Sequence, residues 1–377
     1  MNKTPVGKEV LQAIDSGRRD LIGAASAGVF AAALGGVVPR DLAASDTKTI
    51  RWGIIGTGTI ANSMAPRIKE AESAELSAVS SRKMETADEF ANKHGVPQAF
   101  DSWQKMIESG RVDAVYIATP TSVKEEISLA AAGRGIHVLA EKPFADLASL
   151  KRMTAACREK GVGFMDGTHF PHLLRTRKIQ QDMHDMAGRP WSVDSAFQFN
   201  LQNTGNIRMN PALEPYGAIG DTGWYNMRAA VEFLSDDVEL VSADAYLLRE
   251  KQNNAVISGS GVLRFSDGST STWNCGFNSG AMVEELRISG PDGVIWIDDF
   301  VFIPGSPAHE RIRYKRGREL FEQEIPFSKR APTLMFEDFA AMVADRGLFE
   351  KSVRASERTQ AWLDASWQSA IAREAGA

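Results

Sequence analysis

The fold is decided by residues 50–61, which read IRWGIIGTGTIA. An apolar strand pattern runs into a G-x-G-x-x-A turn, and a helical pattern follows the turn. Gly56 permits the tight turn, Gly58 lets the backbone approach a pyrophosphate, and Ala61 allows close packing of helix on strand. Glycine-rich turns are common, but this strand–turn–helix context predicts dinucleotide binding. We expect the cofactor contacts of the turn to come from Gly56, Thr57, Gly58, Thr59 and Ile60.

Short apolar runs alternate with helical patterns from Thr49 to about Gly167. The strand patterns span Ile50–Ile55, Glu75–Ser81, Asp113–Ala118, Ile136–Ala140 and Val162–Met165. The helical patterns span Ala61–Glu70, Thr86–Lys93, Ser122–Gly133 and Leu147–Lys160. Such alternation predicts right-handed βαβ units with helices on both faces of a parallel sheet. We therefore expect an α/β Rossmann dinucleotide-binding domain.

The sequence pattern changes after residue 190, where β-rich stretches follow one another without helical patterns between most of them. They span Ser192–Leu201, Glu239–Leu248, Val256–Phe265, Ser269–Gly276, Val283–Gly290 and Val294–Ile297. Asp-Gly pairs at 267–268 and 292–293 suit hairpin turns. Two helical patterns, Thr333–Ala344 and Ser356–Arg373, close the chain, and we expect the last helix to pack back on the first domain. The second half thus predicts an α+β domain with a large, mostly antiparallel open sheet.

The end of the second strand discriminates between cofactors. An NAD site places an acid about twenty residues after the glycines, to hold the ribose 2′-hydroxyl. In this chain the corresponding residues are Ser81-Arg82-Lys83, a hydroxyl and two cations. An arginine can pair with a 2′-phosphate through two hydrogen bonds and stack on adenine. The alternative is a solvated turn with incidental charges; we predict NADP, bound by Ser81, Arg82 and Lys83.

Two further segments follow strands of the predicted parallel sheet. Ala118-Thr119-Pro120 comes after the third strand, and Glu141-Lys142-Pro143 after the fourth. Both are expected at the carboxyl edge of the sheet, where open α/β folds bind ligands. A lone lysine at a strand end is usually a surface charge, but an apolar strand and a proline flank this one. We expect cofactor contacts from Thr119, Pro120, Glu141 and Lys142.

From Ile50 onward the chain resembles the Gfo/Idh/MocA oxidoreductases, named for glucose–fructose oxidoreductase and inositol dehydrogenase. The glycine turn, the T-P and E-K-P segments and Gly220-Asp221-Thr222-Gly223-Trp224-Tyr225 carry the resemblance. It implies a catalytic group of Lys142, Asp221 and Tyr225. Many members have histidine where this chain has tyrosine, so it is most similar to the glucose–fructose oxidoreductase and dihydrodiol/xylose dehydrogenase branch, which generally uses NADP.

The chain departs from the family pattern after the T-P pair. Family members often carry asparagine and then histidine there, whereas this chain reads Thr121-Ser122-Val123-Lys124. No cofactor contact is therefore carried over to these four positions. Fewer glycines also precede Asp221 than is common in the family.

The three catalytic candidates suit the oxidation of a sugar hydroxyl. A phenol has a pKa near 10 by itself, too high for an efficient base at neutral pH. A neighbouring ammonium favours the phenolate and lowers that pKa. We expect Tyr225 to exchange the proton, Lys142 to tune and orient it, and Asp221 to position the substrate hydroxyl or the lysine. The alternative for Tyr225 is an ordinary half-buried aromatic at the start of a helix.

Asp166, His169 and His172 suggest either a metal site or a substrate cleft, since carboxylate and imidazole groups can ligate a metal and can also line a sugar-binding cleft. We expect the two histidines to contact substrate and predict no metal. The two cysteines, Cys157 and Cys275, cannot form a disulfide framework, and neither has a base nearby in sequence. A nucleophilic cysteine is not expected.

Composition excludes several classes of protein. The chain has 377 residues, of which 43% are hydrophobic and 24% charged, which is ordinary for a folded protein of two domains. Forty-three Lys and Arg against 48 Asp and Glu leave a net charge of −5, so no basic excess suggests a nucleic acid partner.

The first 46 residues differ from the rest. Arg18-Arg19 precedes Leu21–Val38, a run without charge that is rich in alanine and glycine, and small residues follow. This arrangement predicts a twin-arginine export signal, the alternative being an amphipathic or buried N-terminal helix. We expect a leader at 1–46, an NADP-binding domain at 47–167 and a substrate and oligomerisation domain at 168–377. The exported protein is then periplasmic, without a stable membrane anchor once the signal is removed.

These observations predict an exported NADP-containing oxidoreductase acting on an aldose or polyol. Free NADP is not recycled outside the cytoplasm, so we expect a retained cofactor and a second sugar or carbonyl as hydride acceptor. One alternative is a sugar or dihydrodiol dehydrogenase with exchangeable NADP. Another is an NAD-dependent glycoside hydrolase of the same superfamily; a non-catalytic sugar-binding protein is disfavoured. We expect a homodimer or homotetramer formed through the open sheet.

Overall fold

The computed structural model describes residues 49–203, 205–303, 305 and 307–376. The chain divides between Ser45 and Asp46 into two units, and the described fold belongs to the second, Asp46–Ala377. The predicted leader and its arginine pair lie outside the described residues. The predicted boundary between residues 167 and 168 stays a prediction.

A parallel sheet occupies the first part of the described chain. Its strands are β1 (Ile50–Ile55), β2 (Ala74–Ser80), β3 (Gln98–Phe100), β4 (Ala114–Ile117), β5 (His137–Ala140) and β6 (Phe164–Asp166). The helices between them are α1 (Thr59–Glu70), α2 (Met84–His94), α3 (Trp103–Glu108), α4 (Lys124–Gly133) and α5 (Leu147–Lys160). The strand order is β3-β2-β1-β4-β5-β6. This order reverses between β1 and β4, so a ligand crevice is expected at their carboxyl ends.

A second sheet follows, connected and covered by the remaining helices. Its strands are β7 (Ser192–Asn200), β8 (Leu240–Arg249), β9 (Val256–Phe265), β10 (Thr270–Gly276), β11 (Asn278–Ser289), β12 (Val294–Ile297), β13 (His309–Arg316) and β14 (Glu319–Pro326). The helices are α6 (Leu174–Met186), α7 (Gly217–Asp221), α8 (Gly223–Phe233), α9 (Ala331–Ala344) and α10 (Arg346–Gly376). The strand order is β14-β13-β12-β11-β7-β10-β9-β8, with β7 and β10 parallel and the other neighbours antiparallel.

The predicted fold class is confirmed: an α/β Rossmann domain precedes a large, mostly antiparallel sheet. Strands β3, β13 and β14, and helices α3, α6, α7 and α8, were not predicted. In β13 and β14 most side chains are exposed or half-buried, so the apolar pattern that marks a strand is weak. Helix α8 is buried almost all round, so its sequence lacks the one-sided period of a surface helix.

Aromatic side chains of α9, near the C-terminus, pack on the buried face of the first sheet. Trp52 on β1 is fully buried, and its ring centroid lies 5.0 Å from that of Phe336 and 4.8 Å from that of Phe339 on α9. Burying these large rings removes apolar surface from water and holds α9 against the sheet.

A buried ion pair joins the last strand of the first sheet to two later helices. The carboxylate of Asp166 on β6 accepts from Arg228 Nη1 on α8 at 2.7 Å and from Ser356 Oγ on α10 at 2.5 Å. Arg228 is also within 2.6 Å of Glu232. Because the charges are paired and hydrogen-bonded, burial of Asp166 is tolerated, and its pKa lies below the usual value although burial alone would raise it.

Within the described part of the chain, no helix combines the length and the apolar character needed to cross a membrane.

Candidate active site

The glycine turn at the end of β1 has the geometry that the sequence predicts. Gly56 has φ +100°, and a Cβ added to it would lie 2.9 Å from the carbonyl oxygen of Ala118. Gly58 precedes α1, and a Cβ there would meet nothing within 4 Å, so the backbone is open on that side. Ala61 is fully buried. The turn therefore leaves room for a phosphate at the N-terminus of α1, where Thr57, Thr59 and Ile60 lie.

The segment after β2 fits the phosphate end of NADP. Ser81 Oγ lies 2.6 Å from Thr86 Oγ1 and 3.4 Å from Thr57 Oγ1, which joins it to the glycine turn. Arg82 and Lys83 are exposed, and their side chains have no ion-pair or hydrogen-bond partner among the described residues. These cations are thus available to a 2′-phosphate without breaking an internal pair.

The segments after β4 and β5 reach the same edge of the sheet. Thr119 Oγ1 is a buried polar atom without a protein partner, and Pro120 beside it is half-buried. A bound cofactor would satisfy such a buried hydroxyl. Glu141 behaves differently, because its buried carboxylate accepts a hydrogen bond from the Tyr116 hydroxyl inside the protein. A cofactor contact by Glu141 stays a prediction.

The structure brings the three predicted catalytic residues together. Lys142 Nζ lies 2.7 Å from Asp221 Oδ1 and 3.0 Å from the Asp221 carbonyl oxygen. The same ammonium lies 4.9 Å from the centroid of the Tyr225 ring. Gly220 makes this approach possible, since a Cβ there would lie 2.9 Å from Pro143 Cγ. Helix α7 can therefore pack directly on the turn that carries Lys142.

Arg208 is a member of the site that the sequence did not indicate. Its Nε lies 2.7 Å from Asp221 Oδ2, and its Nη2 lies 3.2 Å from Asp221 Oδ1. Burial alone would raise the pKa of Asp221, but Lys142 and Arg208 outweigh it and hold that pKa well below the usual value. Asp221 is therefore an anion held between two cations, and nothing in the local sequence of residues 205–216 signals this contact.

Tyr225 is buried, and its hydroxyl has no hydrogen-bond partner among the residues that the structure describes. Burial and the carboxylates of Glu141 and Asp221 raise its pKa well above 10. The prediction that Lys142 lowers this pKa is wrong. The ammonium lies over the ring face and is paired with Asp221, so its charge is largely compensated. At neutral pH Tyr225 is a neutral phenol, suited to donate a proton.

Aromatic rings surround the catalytic phenol. The centroid of Tyr225 lies 5.3 Å from that of Phe197, and 6.4 Å from those of Phe170 and Phe302. Phe302 is 44% exposed, which is unusual for a phenylalanine in contact with buried rings. The side chains around Tyr225 thus offer apolar ring faces next to a polar group, a combination suited to a sugar ring.

The two predicted substrate histidines differ. His169 is 3% exposed, and neither ring nitrogen has a hydrogen-bond partner among the described residues. Burial and the nearby charge of Lys142 lower its pKa to about 3, so the imidazole is neutral. His172 instead places Nδ1 2.5 Å from Asp338 Oδ2 and joins α9 to the segment before α6. The structure therefore leaves His169 available to a ligand and engages His172 in a structural contact.

The described residues hold no group of three or more His, Cys, Asp or Glu side chains placed to bind a metal. Cys157 and Cys275 are buried, and burial raises the pKa of each thiol to about 12. Neither thiol is activated as a nucleophile.

Comparisons with known proteins identify the family of the chain. Residues 50–168 match the model of the oxidoreductase family with an NAD-binding Rossmann fold, and residues 184–296 match the GFO/IDH/MocA C-terminal domain. The chain is 30% identical over 335 residues to scyllo-inositol 2-dehydrogenase (NADP(+)) of Bacillus subtilis, covering 81% of this chain and 93% of that one. It is 30% identical over 283 residues to D-xylose 1-dehydrogenase (NADP(+)) 2 of Haloferax volcanii, covering 73% and 84%.

A similar solved structure is the 3-ketoreductase of Actinomadura kijaniata in complex with NADP and TDP-benzene. It is 26% identical, with a TM-score of 0.77, and the match covers 86% of this chain and 98% of that one. The chain belongs to the Gfo/Idh/MocA family of oxidoreductases.

Proposed function

We propose that the protein transfers hydride between NADP and a CH–OH group of an aldose or polyol. The observation that carries this proposal is the group of Lys142, Asp221 and Arg208 beside the unpartnered hydroxyl of Tyr225. The open glycine turn, the orphaned Thr119 hydroxyl and the unpaired Arg82 support NADP as cofactor. The relatives named above as NADP-dependent inositol and xylose dehydrogenases support the substrate class.

The protein's part in the reaction is to hold the substrate and move one proton. Bound NADP supplies the hydride donor or acceptor. In the reducing direction the Tyr225 hydroxyl donates its proton to the carbonyl oxygen of the substrate, which leaves phenolate on Tyr225. The charge of Arg208 favours this phenolate, and the ammonium of Lys142, 4.9 Å from the ring centroid, adds the part of its charge that Asp221 leaves uncompensated. In the oxidising direction the reverse step moves the proton of the sugar hydroxyl to the Tyr225 phenolate, so Tyr225 must first lose its own proton to solvent.

His169 is proposed to bind a substrate hydroxyl. Its neutral imidazole has one nitrogen that donates and one that accepts, and both are unpartnered in the structure. A sugar hydroxyl can satisfy either nitrogen. His172 is already engaged with Asp338, so a substrate contact there requires a change of partner.

The test of this function is turnover of a panel of aldoses and inositols with NADP⁺, and of the matching carbonyl compounds with NADPH. Tyr225→Phe removes only the hydroxyl, and we expect the rate to fall about a hundredfold to ten-thousandfold, as for loss of a general acid. The affinity for NADPH should stay within about threefold of wild type, because the cofactor turn is untouched. Tyr314→Phe on the second sheet is the matched control. A Tyr225→Phe enzyme that turns over near the wild-type rate contradicts the assignment.

A retained cofactor and a second carbonyl substrate extend the proposal. The absorbance spectrum of the purified protein tests them directly. Bound nicotinamide that is reduced by an aldose and reoxidised by a second sugar supports a two-substrate cycle with ping-pong kinetics. Protein that purifies without nucleotide favours a dehydrogenase with exchangeable NADP, and release of sugar from an aryl glycoside identifies a hydrolase.

Export to the periplasm is proposed from the sequence of residues 1–46 alone. Changing Arg18 and Arg19 to lysine should retain the protein in the cytoplasm, as measured by cell fractionation. Equal periplasmic amounts of both proteins overturn the twin-arginine assignment. A homodimer or homotetramer formed through the second sheet is likewise proposed, and the mass of the purified protein in solution tests it.

A further inference from the structure

Lys124 stands where the chain departs from the family pattern, and it is a buried lysine. The residue is 2% exposed at the start of α4. Its Nζ lies 2.8 Å from the carbonyl oxygen of Pro143 and 3.3 Å from Thr121 Oγ1. No carboxylate pairs directly with this ammonium within the described residues. An ammonium has three N–H groups to satisfy, and the Pro143 carbonyl and Thr121 Oγ1 are the two acceptors that the described residues offer it. Burial of this charge is therefore unfavourable by itself.

The two acceptors of Lys124 belong to two different parts of the active site. Pro143 directly follows the catalytic Lys142. Thr121 contacts Glu214, whose carboxylate accepts from the Thr121 hydroxyl at 2.8 Å and from the Thr121 backbone N–H at 3.2 Å. Glu214 lies in the segment that carries Arg208. Lys124 therefore connects the two segments whose cations meet on Asp221.

The charges that face Lys124 explain how its ammonium can persist and how it can be lost. Burial lowers its pKa to about 8, against the attraction of Glu214, Glu141 and Asp221, while Lys142 adds repulsion. The ammonium dominates at neutral pH and is lost at mildly alkaline pH. A neutral amine still donates, but its hydrogen bonds are weaker than charge-assisted ones, and its attraction to Glu214 is gone.

We propose that Lys124 is a positioning residue of the active site, which holds the Lys142–Pro143 turn through the Pro143 carbonyl and the Arg208 segment through Thr121. The inference rests on the proposed function, since it concerns the same hydride-transfer site. Lys124 itself touches neither Tyr225 nor Asp221 within hydrogen-bond distance; it acts through its neighbours.

The test compares Lys124→Met, which removes every donor, with Lys124→Gln, which keeps a neutral donor. Lys151→Met on α5 is the matched control, because Lys151 is an exposed lysine whose side chain has no partner among the described residues. We expect Lys124→Met to lower kcat for carbonyl reduction about tenfold or more, with the KM for the carbonyl compound within about threefold. Lys151→Met should stay within about twofold in both. Circular dichroism and thermal unfolding check that each variant is folded.

The pH profile separates positioning from a merely structural role. Reduction is the informative direction, because Tyr225 keeps its proton throughout this range. We expect wild-type kcat to fall between about pH 7 and about pH 9.5, as Lys124 loses its charge, and to converge on the lower, flat profile of Lys124→Gln. An alkaline fall that persists in Lys124→Gln overturns the proposal, as does a Lys124→Met variant with wild-type kcat.

A second readout makes the test independent of the substrate. Thr121 follows the Thr119–Pro120 edge at which the cofactor is proposed to lie, so Lys124→Met should raise the Kd for NADPH about threefold to tenfold, measured by fluorescence. If wild type reduces no compound of the panel but Lys124→Met still raises the Kd for NADPH, the proposed substrate class is contradicted and the role of Lys124 is supported. An unchanged Kd in such a protein overturns the role of Lys124.

Discussion

The buried ammonium of Lys124 predicts an unusual dependence of stability on pH. The perturbation is Lys124→Met, which keeps the length of the side chain and removes its charge. In the unfolded chain this lysine titrates near 10.5, whereas in the fold burial lowers the pKa to about 8. Between about pH 8 and about pH 10.5 the unfolded state therefore binds more protons at this lysine than the folded state does. The free energy of unfolding of wild type consequently rises with pH relative to that of the variant.

The magnitude follows from the two pKa values. At about pH 7 the pKa difference lowers the free energy of unfolding by about 3 kcal/mol, relative to a protein whose Lys124 is neutral. At about pH 9.5 Lys124 is largely deprotonated in the fold, whereas the unfolded chain still binds the proton there, and the remaining penalty is about 1 kcal/mol. Wild type should thus gain about 2 kcal/mol of unfolding free energy relative to Lys124→Met over this range.

The assay is urea unfolding of both proteins at each pH, followed by tryptophan fluorescence. Comparing the proteins at the same pH cancels the titration of every other group that the substitution leaves alone. Lys151→Met, an exposed lysine, should show no such trend. A difference between wild type and Lys124→Met that stays constant within about 0.5 kcal/mol from about pH 7 to about pH 9.5 refutes the reasoning, because the ammonium would then not be penalised by the fold.

Two further predictions concern the cofactor turn. Gly56→Ala places a Cβ 2.9 Å from the Ala118 carbonyl oxygen at φ +100°, so thermal unfolding should show a loss of about 1–3 kcal/mol in the free energy of unfolding. A Cβ at position 58 meets nothing within 4 Å, so Gly58→Ala should unfold like wild type but bind NADPH more weakly. Arg82→Ala removes an unpaired cation, so the ratio of kcat/KM for NADP⁺ to that for NAD⁺ should fall about tenfold to a hundredfold; an unchanged ratio contradicts 2′-phosphate binding there.

The sequence predicted the elements whose burial leaves a regular pattern. Strand β1 and the glycine turn are recognisable because a parallel strand covered on both faces is a continuous apolar run, and the turn admits few residues at Gly56. Strands β13 and β14 carry alternating charges on exposed faces, so their pairing depends on each other and not on a local apolar pattern. Helix α8 is buried on nearly all sides because it packs under the second sheet, a position that only the tertiary fold defines.

The site was predictable only where a short motif carries the residues. Lys142, Asp221 and Tyr225 lie in two such motifs, and the structure brings them together. Arg208 and Glu214 come from an irregular segment whose contacts depend on how the chain folds back, and no local spacing marks them. The predicted direction of the Tyr225 pKa shift was wrong. The sequence shows that a lysine is near, but not that Asp221 compensates its charge or that Glu141 is also close.

The Asp166–Arg228 ion pair has a mechanical consequence for catalysis. Arg228 and Tyr225 lie on the same helix, α8, one turn apart, so the ion pair holds the proposed proton donor close to β6, the last strand of the first sheet. Ser356 adds the C-terminal helix to the same contact. Tyr225 is thus tied to the first sheet, whereas residues 205–216, which hold Arg208, lie outside this ion pair. We therefore expect substrate exchange to move residues 205–216 past a fixed Tyr225, rather than to open a hinge between the two sheets.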